Sequence, residues 1–445
     1  MKKNYEFSGE ILDYTHDGLG VIKLDGFPFF VEDVVVGEVV KVKITKIGKN
    51  LGYAKLIEII KKSPNRVDVE EKTSGANLLH ISYAEQLRFK KEKVKNIMNK
   101  TVGKDEITVL NTIGMDNPKH YRNKSVLPVQ KTNGEVKMGY YKPRTHDVIN
   151  SNNCSIQYDE HNFLTRKIRK IIEELNLSIY DEKSHKGAIR HIMIRTNSTK
   201  SEIMIGIISK EKFAKINEFV REIVSLDSRI KSVVLNINSK KTNVIFGEET
   251  ELLYGQDFIT DVMDGIKFNI SLRSFYQVNP IQTKVLYGKA IELAGLGAED
   301  TIIDAYCGIG TISLFAAKKV KKVYGIEIVD QAILNAKENA KINSINNVEF
   351  LLGKSEDVIK NLISKGETID AVIVDPPRKG CEASFLEDIA KMNIPKIVYV
   401  SCNPATLARD IALLKTLGYK AKEVQPVDMF PGTYHVECVA LLVKA

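Results

Sequence analysis

Residues 304–314 read DAYCGIGTISL and follow a short apolar run, Thr301–Ile303. Gly308 and Gly310 let the backbone turn tightly and approach a ligand. A strand that runs into a glycine turn is the opening unit of a doubly wound α/β sheet, in which ligands bind at the carboxyl ends of the strands. The dinucleotide fingerprint wants a third glycine, but Ser313 holds that place. Hydride transfer from NAD is therefore a poor reading. A glycine turn packed for structure alone is the plain one.

The surroundings extend the pattern. Further strands are expected at Lys322–Ile326, Val348–Leu352, Ala371–Val374 and Lys396–Val400, with helical spacing between them, as in Ala332–Ile342. Such alternation implies a parallel sheet covered by helices on both faces. Two strands close the chain, Ala421–Val427 and Val436–Val443, and a hairpin there must place one of them antiparallel. Glu327 ends the second strand, where a carboxylate accepts ribose hydroxyls. Glu356 and Asp357 follow the third, where an adenine edge could lie. Each acid alone reads as a solvated strand end. In order, Asp304, Gly308, Gly310 and Glu327 look like the S-adenosylmethionine site of a class I methyltransferase.

The fourth and fifth strands end in DPPRKG (375–380) and VYVSCNPATLARD (398–410). Amino-group methyltransferases place an aromatic after the two prolines; Arg378 stands there. RNA cytosine-5 enzymes carry a cysteine directly after a proline in this motif; Cys381 comes too late. Cys402 ends the fifth strand at the same sheet edge. A packed small hydrophobe is the usual fate of a lone cysteine. As a nucleophile, its thiolate would add to C6 of a uracil and make C5 reactive toward a methyl sulfonium, dividing one hard step into easier ones. Such a thiol is expected to have its pKa lowered by neighbouring groups. A base must then take the C5 proton. Glu437 in TYHVECVALL opens an apolar strand, an expensive place for a charge without a role; a structural ion pair is the alternative.

The chain has 445 residues, 43% of them hydrophobic, enough for two or three domains. No eighteen-residue apolar run suggests a membrane span, and the start, MKKNYEFSGE, lacks the apolar core of a signal peptide. Five scattered cysteines (154, 307, 381, 402, 438) suit a reducing cytoplasm and form no zinc spacing. The net charge of +9 is segregated: residues 61–262 carry 35 Lys+Arg against 26 Asp+Glu, while residues 1–60 carry 8 against 9. A basic segment attracts phosphate backbones; a lysine-rich soluble surface is the alternative.

Three units are expected. Residues 1–60 read as short strands joined by turns such as Asp25-Gly26. Val40, Val42 and Ile44 alternate with Lys41, Lys43 and Thr45, which suggests a small OB-like barrel. Residues 61–262 mix helices, at Tyr83–Lys100 and Phe163–Leu175, with strands at Ala188–Thr196 and Ile203–Ile208. Residues 263–445 form the α/β unit.

Nearly the full length resembles the bacterial RNA uracil-5-methyltransferases, particularly those acting on 23S ribosomal RNA. THDGLGVIKLDG and VVGEVVKVKI resemble an N-terminal TRAM domain. SFYQVNP (274–280), DAYCGIGT, DPPRKG, SCNP and HVECVALL resemble the catalytic core. The resemblance implies Cys402 as nucleophile and Glu437 as base. It implies Gln277, Tyr306, Glu327 and Thr311 around S-adenosylmethionine, with Asp375 beside both cofactor and uracil. Thr311 occupies a place often held by Asn. It further implies RNA as partner, no membrane, no protein partner, a monomer and a cytoplasmic setting. Many relatives hold an iron–sulfur cluster, but DVEEKTSGANLLH (68–80) has no cysteine, and Cys154 would be an orphaned fourth ligand. Transfer RNA is the competing substrate; TRAM-like sequence and the basic middle favour ribosomal RNA, since transfer-RNA members often lack TRAM. A non-catalytic RNA-binding protein would need neither Cys402 nor Glu437.

Overall fold

The computed structural model describes residues 2–69, 75–142 and 145–445. The first six strands form one sheet in the order Glu6–Glu10, Val39–Ile47, Gly52–Lys61, Phe27–Val31, Gly20–Leu24, Asp13–Tyr14. Val40, Val42 and Ile44 point into its core with Phe7, Ile22 and Phe29, as the alternation predicts. Asp25 (φ 51°) and Gly26 (φ 81°) make the two-residue hairpin, both left-handed, because that turn matches the twist of the strands it joins.

A seven-stranded sheet follows, ordered Val148–Asn150, Glu135–Tyr141, Lys124–Thr132, Ile189–Thr196, Ile203–Ser209, Ile230–Ile237, Glu249–Gly255. Helices Asp159–Glu174 and Ile216–Ser225 cover one face through Leu164, Ile168, Phe219 and Ile223. The other face, with Met193, Met204 and Ile208, packs on hairpin Phe258–Met263/Ile266–Ser271 and on Ile333 and Ala336 of helix Asp330–Ile342. Burial on both faces explains why IMIGIIS reads as a continuous apolar run.

The C-terminal sheet is ordered Val348–Leu352, Lys322–Glu327, Thr301–Ala305, Ala371–Val374, Lys396–Ser401, Glu437–Lys444, Tyr419–Val427, Thr108–Val109. Its first five strands are parallel. Glu437–Lys444 inserts antiparallel between Lys396–Ser401 and Tyr419–Val427. This is the doubly wound sheet expected, with two differences. The closing strands are joined by nine residues, 428–436, rather than by a short turn, since these residues are hydrogen-bonded to neighbouring elements instead of to each other's strands. Residues 83–109, expected within the central unit 61–262, join the C-terminal sheet. Helix Tyr83–Thr101 buries Val94 and Met98 against Leu407 and Ile411 of helix Pro404–Thr416, and Thr108–Val109 pairs with Glu423–Val424. The helix's charged look concealed this because Lys90, on its buried face, is neutralised by Asp428. No helix among the described residues is long and apolar enough to cross a membrane.

Candidate active site

Three of the five residues after Ala305 are left-handed: Tyr306 (φ 68°), Gly308 (φ 56°) and Gly310 (φ 83°). For Tyr306 this costs roughly 1–2 kcal/mol. Its ring is held edge-on against Phe385, with centroids 5.8 Å apart. At Gly310 a Cβ would meet the Phe350 ring at 2.7 Å, so close packing demands glycine. At Gly308 a Cβ would meet nothing within 4 Å: the chain borders open space. Glu327 ties the next strand end to this turn. Its Oε2 accepts from Gly308 N–H at 3.2 Å, and its Oε1 accepts from the N–H groups of Ile328 and Val329 at 2.7 and 2.9 Å. Thr311 opens the helix Thr311–Ala317 directly behind Gly310.

Asp304 is fully buried. Ser313 Oγ donates to its Oδ2 at 2.6 Å, while Oδ1 has no hydrogen-bond partner. Burial pushes this carboxyl up to about 7. Asp375, after the strand Ala371–Val374, is likewise pushed up to about 7 by burial. Gln277 is buried with its side-chain amide on the hydroxyl of Tyr287, and its backbone carbonyl accepts from Asn123 Nδ2 at 3.4 Å. Sequence reasoning missed Tyr287, which is buried within electrostatic reach of Asp375, Glu437 and Asp304. It lies in an ordinary helix pattern with no local signal.

The strand-to-helix change at 401–404 has a physical cause. Asn403 caps helix Pro404–Thr416, its Oδ1 accepting from Ala405 N–H at 3.1 Å, and Pro404 needs no donor at the first helical position. Asn403 Nδ2 also donates to Arg378 O at 3.0 Å, which locks the DPPR turn to the cysteine turn. Cys402 is half-exposed while the other four cysteines are buried. Glu437 is 3% exposed at the head of the terminal strand. Ser401 pairs with Cys438 in the antiparallel ladder, so continuing that register sets Cys402 beside Glu437.

The electrostatics depart from expectation. The Cys402 thiol is pushed up to about 11, first by burial and then by Glu437 and Asp375, with Arg378 opposing. Glu437 is pushed up to about 8 by burial and Asp375, again opposed by Arg378. Acids gathered at one partly buried place hold their protons because they cannot all ionise together. The site as built thus keeps the thiol protonated instead of lowering its pKa. Arg378, noted from sequence only as a missing aromatic, is the cation acting on both groups. His435 is kept neutral, pushed down to about 4 by burial and nearby cations, and its ring lies 4.3 Å from that of Tyr434.

The central sheet brings a second set of cations to this edge. Asn123 N–H donates to Val278 O at 2.9 Å, beside Gln277. Flanking it, Arg122 and Lys124 lie near the buried Arg195, and burial with these two arginines pushes Lys124 down to about 7. Arg195 donates to the carbonyls of Ser271 and Ser274 at 2.8 and 2.9 Å. The available signal was charge: residues 117–134 contain no acidic side chain.

The pattern of the tRNA (uracil-5-)-methyltransferase family matches residues 82–445. The chain belongs to that family. An uncharacterized RNA methyltransferase of Oceanobacillus iheyensis is 46% identical over 99% of this chain and 97% of its own length. One from Listeria monocytogenes is 48% identical over 99% and 98%. Among solved structures, the Pyrococcus abyssi tRNA (uracil-54, C5)-methyltransferase in complex with S-adenosyl-L-homocysteine has 28% identity and a TM-score of 0.81, covering 98% of this chain and 99% of that one. The protein is therefore an RNA (uracil-5-)-methyltransferase with the Rossmann-like fold of its class.

In this methyltransferase Cys154 is buried among Ala76, Met115, Tyr121 and Ile156, an apolar cluster. Residues 70–74 of the cysteine-free stretch lie outside the described residues. Among the described residues no group of His, Cys, Asp and Glu could hold a metal ion.

Proposed function

We propose that this enzyme methylates C5 of uridine in 23S ribosomal RNA, with S-adenosylmethionine as donor and Cys402 as covalent catalyst. The observation that carries the reading is the placement of Cys402 beside Glu437 and Asp375, at the sheet edge that also bears the glycine turn. The residues fit the cofactor. Asp304 has an orphaned buried oxygen, and Gly308 borders open space where a ligand can approach the backbone. Glu327 would take ribose hydroxyls; Tyr306, Gln277, Thr311 and Asp375 would line the rest. Bound there, S-adenosylmethionine supplies an electrophilic methyl carbon.

The chain's own residues supply the other steps. Cys402, which is half-exposed, loses its proton to solvent; its Sγ then bonds to C6 of the uracil, sending the C5=C6 electron pair toward O4 as an enolate. Arg378, which opposes the negative charge at Cys402 and Glu437, favours the thiolate. After C5 has gained the methyl group, Glu437 takes the C5 proton. That electron pair reforms C5=C6 and the C6–S bond breaks, releasing the thiolate. Of the central-sheet cations Arg122, Lys124 and Arg195, the partly exposed Arg122 is open to a phosphate, whereas Arg195 is buried on the carbonyls of Ser271 and Ser274.

A second reading replaces ribosomal by transfer RNA. It is favoured by the Pyrococcus enzyme, whose likeness covers 98% of this chain and hence the N-terminal sheet. A TRAM-like unit therefore does not separate the two substrates, nor does the basic central segment, since phosphate attraction is the same in either RNA, and the ribosomal reading rests on the motif resemblance alone. Methylation of unmodified 23S RNA and transfer RNA by the purified enzyme, with modified nucleotides mapped, decides it. Methyl transfer to transfer RNA alone rejects the ribosomal assignment.

A further inference from the structure

Strands Tyr419–Val427 and Glu437–Lys444 meet at the pair Val427–Glu437. Residues 428–436 leave and return at that pair, so their conformation sets where Glu437 begins. Asp428 and Lys90 are both fully buried there, and Lys90 Nζ donates to Asp428 Oδ1 at 2.5 Å and to Phe430 O at 3.1 Å. The same carboxylate oxygen accepts from Phe430 N–H at 3.1 Å, which closes the turn. Helix Tyr83–Thr101 grips the loop twice more. Gln86 Oε1 accepts from Gly432 N–H at 2.8 Å, and Lys93 Nζ donates to Tyr434 O at 2.9 Å. Gln86, Lys90 and Lys93 are spaced by four and three, one face of a helix.

Stability alone does not call for ions at this place, since well-packed apolar replacements of a buried ion pair are often as stable. Geometry does call for them: one ammonium joins a side chain to a carbonyl two residues on, and fixes the turn that leads to the base. Cys402 shares that ladder but continues into the Asn403 cap of helix Pro404–Thr416 and not into the 428–436 loop. We propose that the Lys90–Asp428 pair is a positioning device that aims Glu437 at the C5 proton. This rests on the reading of Glu437 as the base.

The test uses the full-length enzyme with the double substitution Lys90→Met and Asp428→Leu, which leaves no unpaired charge. Formation of the covalent RNA adduct and its resolution are timed separately in single turnovers, with Glu437→Gln in parallel. The expected result is adduct formation at the wild-type rate and resolution slowed by about 10²-fold, the effect of a small misplacement, so that methylated adduct accumulates. Resolution at the wild-type rate overturns the proposal. So does equal slowing of both steps, which marks a generally loosened fold. Should the double variant not fold, Lys90→Arg is read in the same way. Normal turnover in Glu437→Gln rejects the base assignment itself. Slow resolution there, with normal resolution in the double variant, rejects only the anchor.

Discussion

Ser401 stands opposite Cys438 in the antiparallel ladder between strands Lys396–Ser401 and Glu437–Lys444. One step outward on each strand are Cys402 and Glu437. Two residues 35 positions apart in sequence are thereby held at one sheet edge by backbone hydrogen bonds, not by their own side chains.

Cys402→Ala should bind RNA yet form no adduct and transfer no methyl group. Glu437→Gln should permit attack and methyl transfer, then stall, leaving a methylated protein–RNA adduct on a denaturing gel. Loss of a general base costs about 10²–10⁴ in rate, so slow resolution is expected. Normal turnover in Glu437→Gln would assign the base elsewhere.

Adduct resolution should depend on pH. Glu437 is pushed up to about 8 and must be unprotonated to accept the C5 proton. The single-turnover resolution rate should therefore rise with pH and level off above about 8. A rate already flat from pH 6 would mean that Glu437 is ionised throughout.

The two glycines of the turn should separate by mechanism. Gly310→Ala places a methyl against the Phe350 ring in a left-handed residue and should destabilise by roughly 3 kcal/mol. Gly308→Ala meets only open space and should cost roughly 1–2 kcal/mol for its left-handed φ. Its larger effect should be on the cofactor, with affinity for S-adenosyl-L-homocysteine falling about tenfold or more by calorimetry. Unchanged affinity would place the cofactor elsewhere.

Asp304 should make the unliganded fold less stable as pH rises. Its carboxyl is held at about 7 against an ordinary 3.8, so the native state binds the proton more tightly than the unfolded chain. That contribution is complete below the unfolded value and is lost progressively as pH rises toward 7, a loss of roughly 4 kcal/mol. Asp304→Asn keeps an acceptor for Ser313 and removes this term. Thermal unfolding at pH 5 and pH 8 should show a smaller drop in Tm for the variant than for the parent. Equal drops would show that Asp304 titrates normally.

Protein prepared without oxygen should contain no stoichiometric iron or acid-labile sulfide, and Cys154→Ala should not change that. The motive is the cysteine-free stretch 68–80, together with the burial of Cys154 among apolar side chains. Visible absorbance with matching iron content would refute it.

Local patterns in the sequence announced the methyltransferase fold and its class. Glycines at 308 and 310, acids at strand ends, and a proline-bounded cysteine are each dictated by the residues beside them. Strand periodicity also placed Val40, Val42 and Ile44 inward, because side-chain direction in a strand depends only on position in the chain. What crosses the fold was not legible. The helix expected at Tyr83–Lys100 was placed in the central unit because the partner that neutralises its Lys90 lies at Asp428, more than 300 residues away. Tyr287 and Arg195 are recruited by burial, which no local pattern announces. Residue type and strand periodicity indicated which side chains stand at the strand ends as candidates for the chemistry. Their protonation belongs to the assembled fold, because burial raises Asp375, and burial together with charges that meet only when the terminal strand inserts into the sheet raises Cys402 and Glu437.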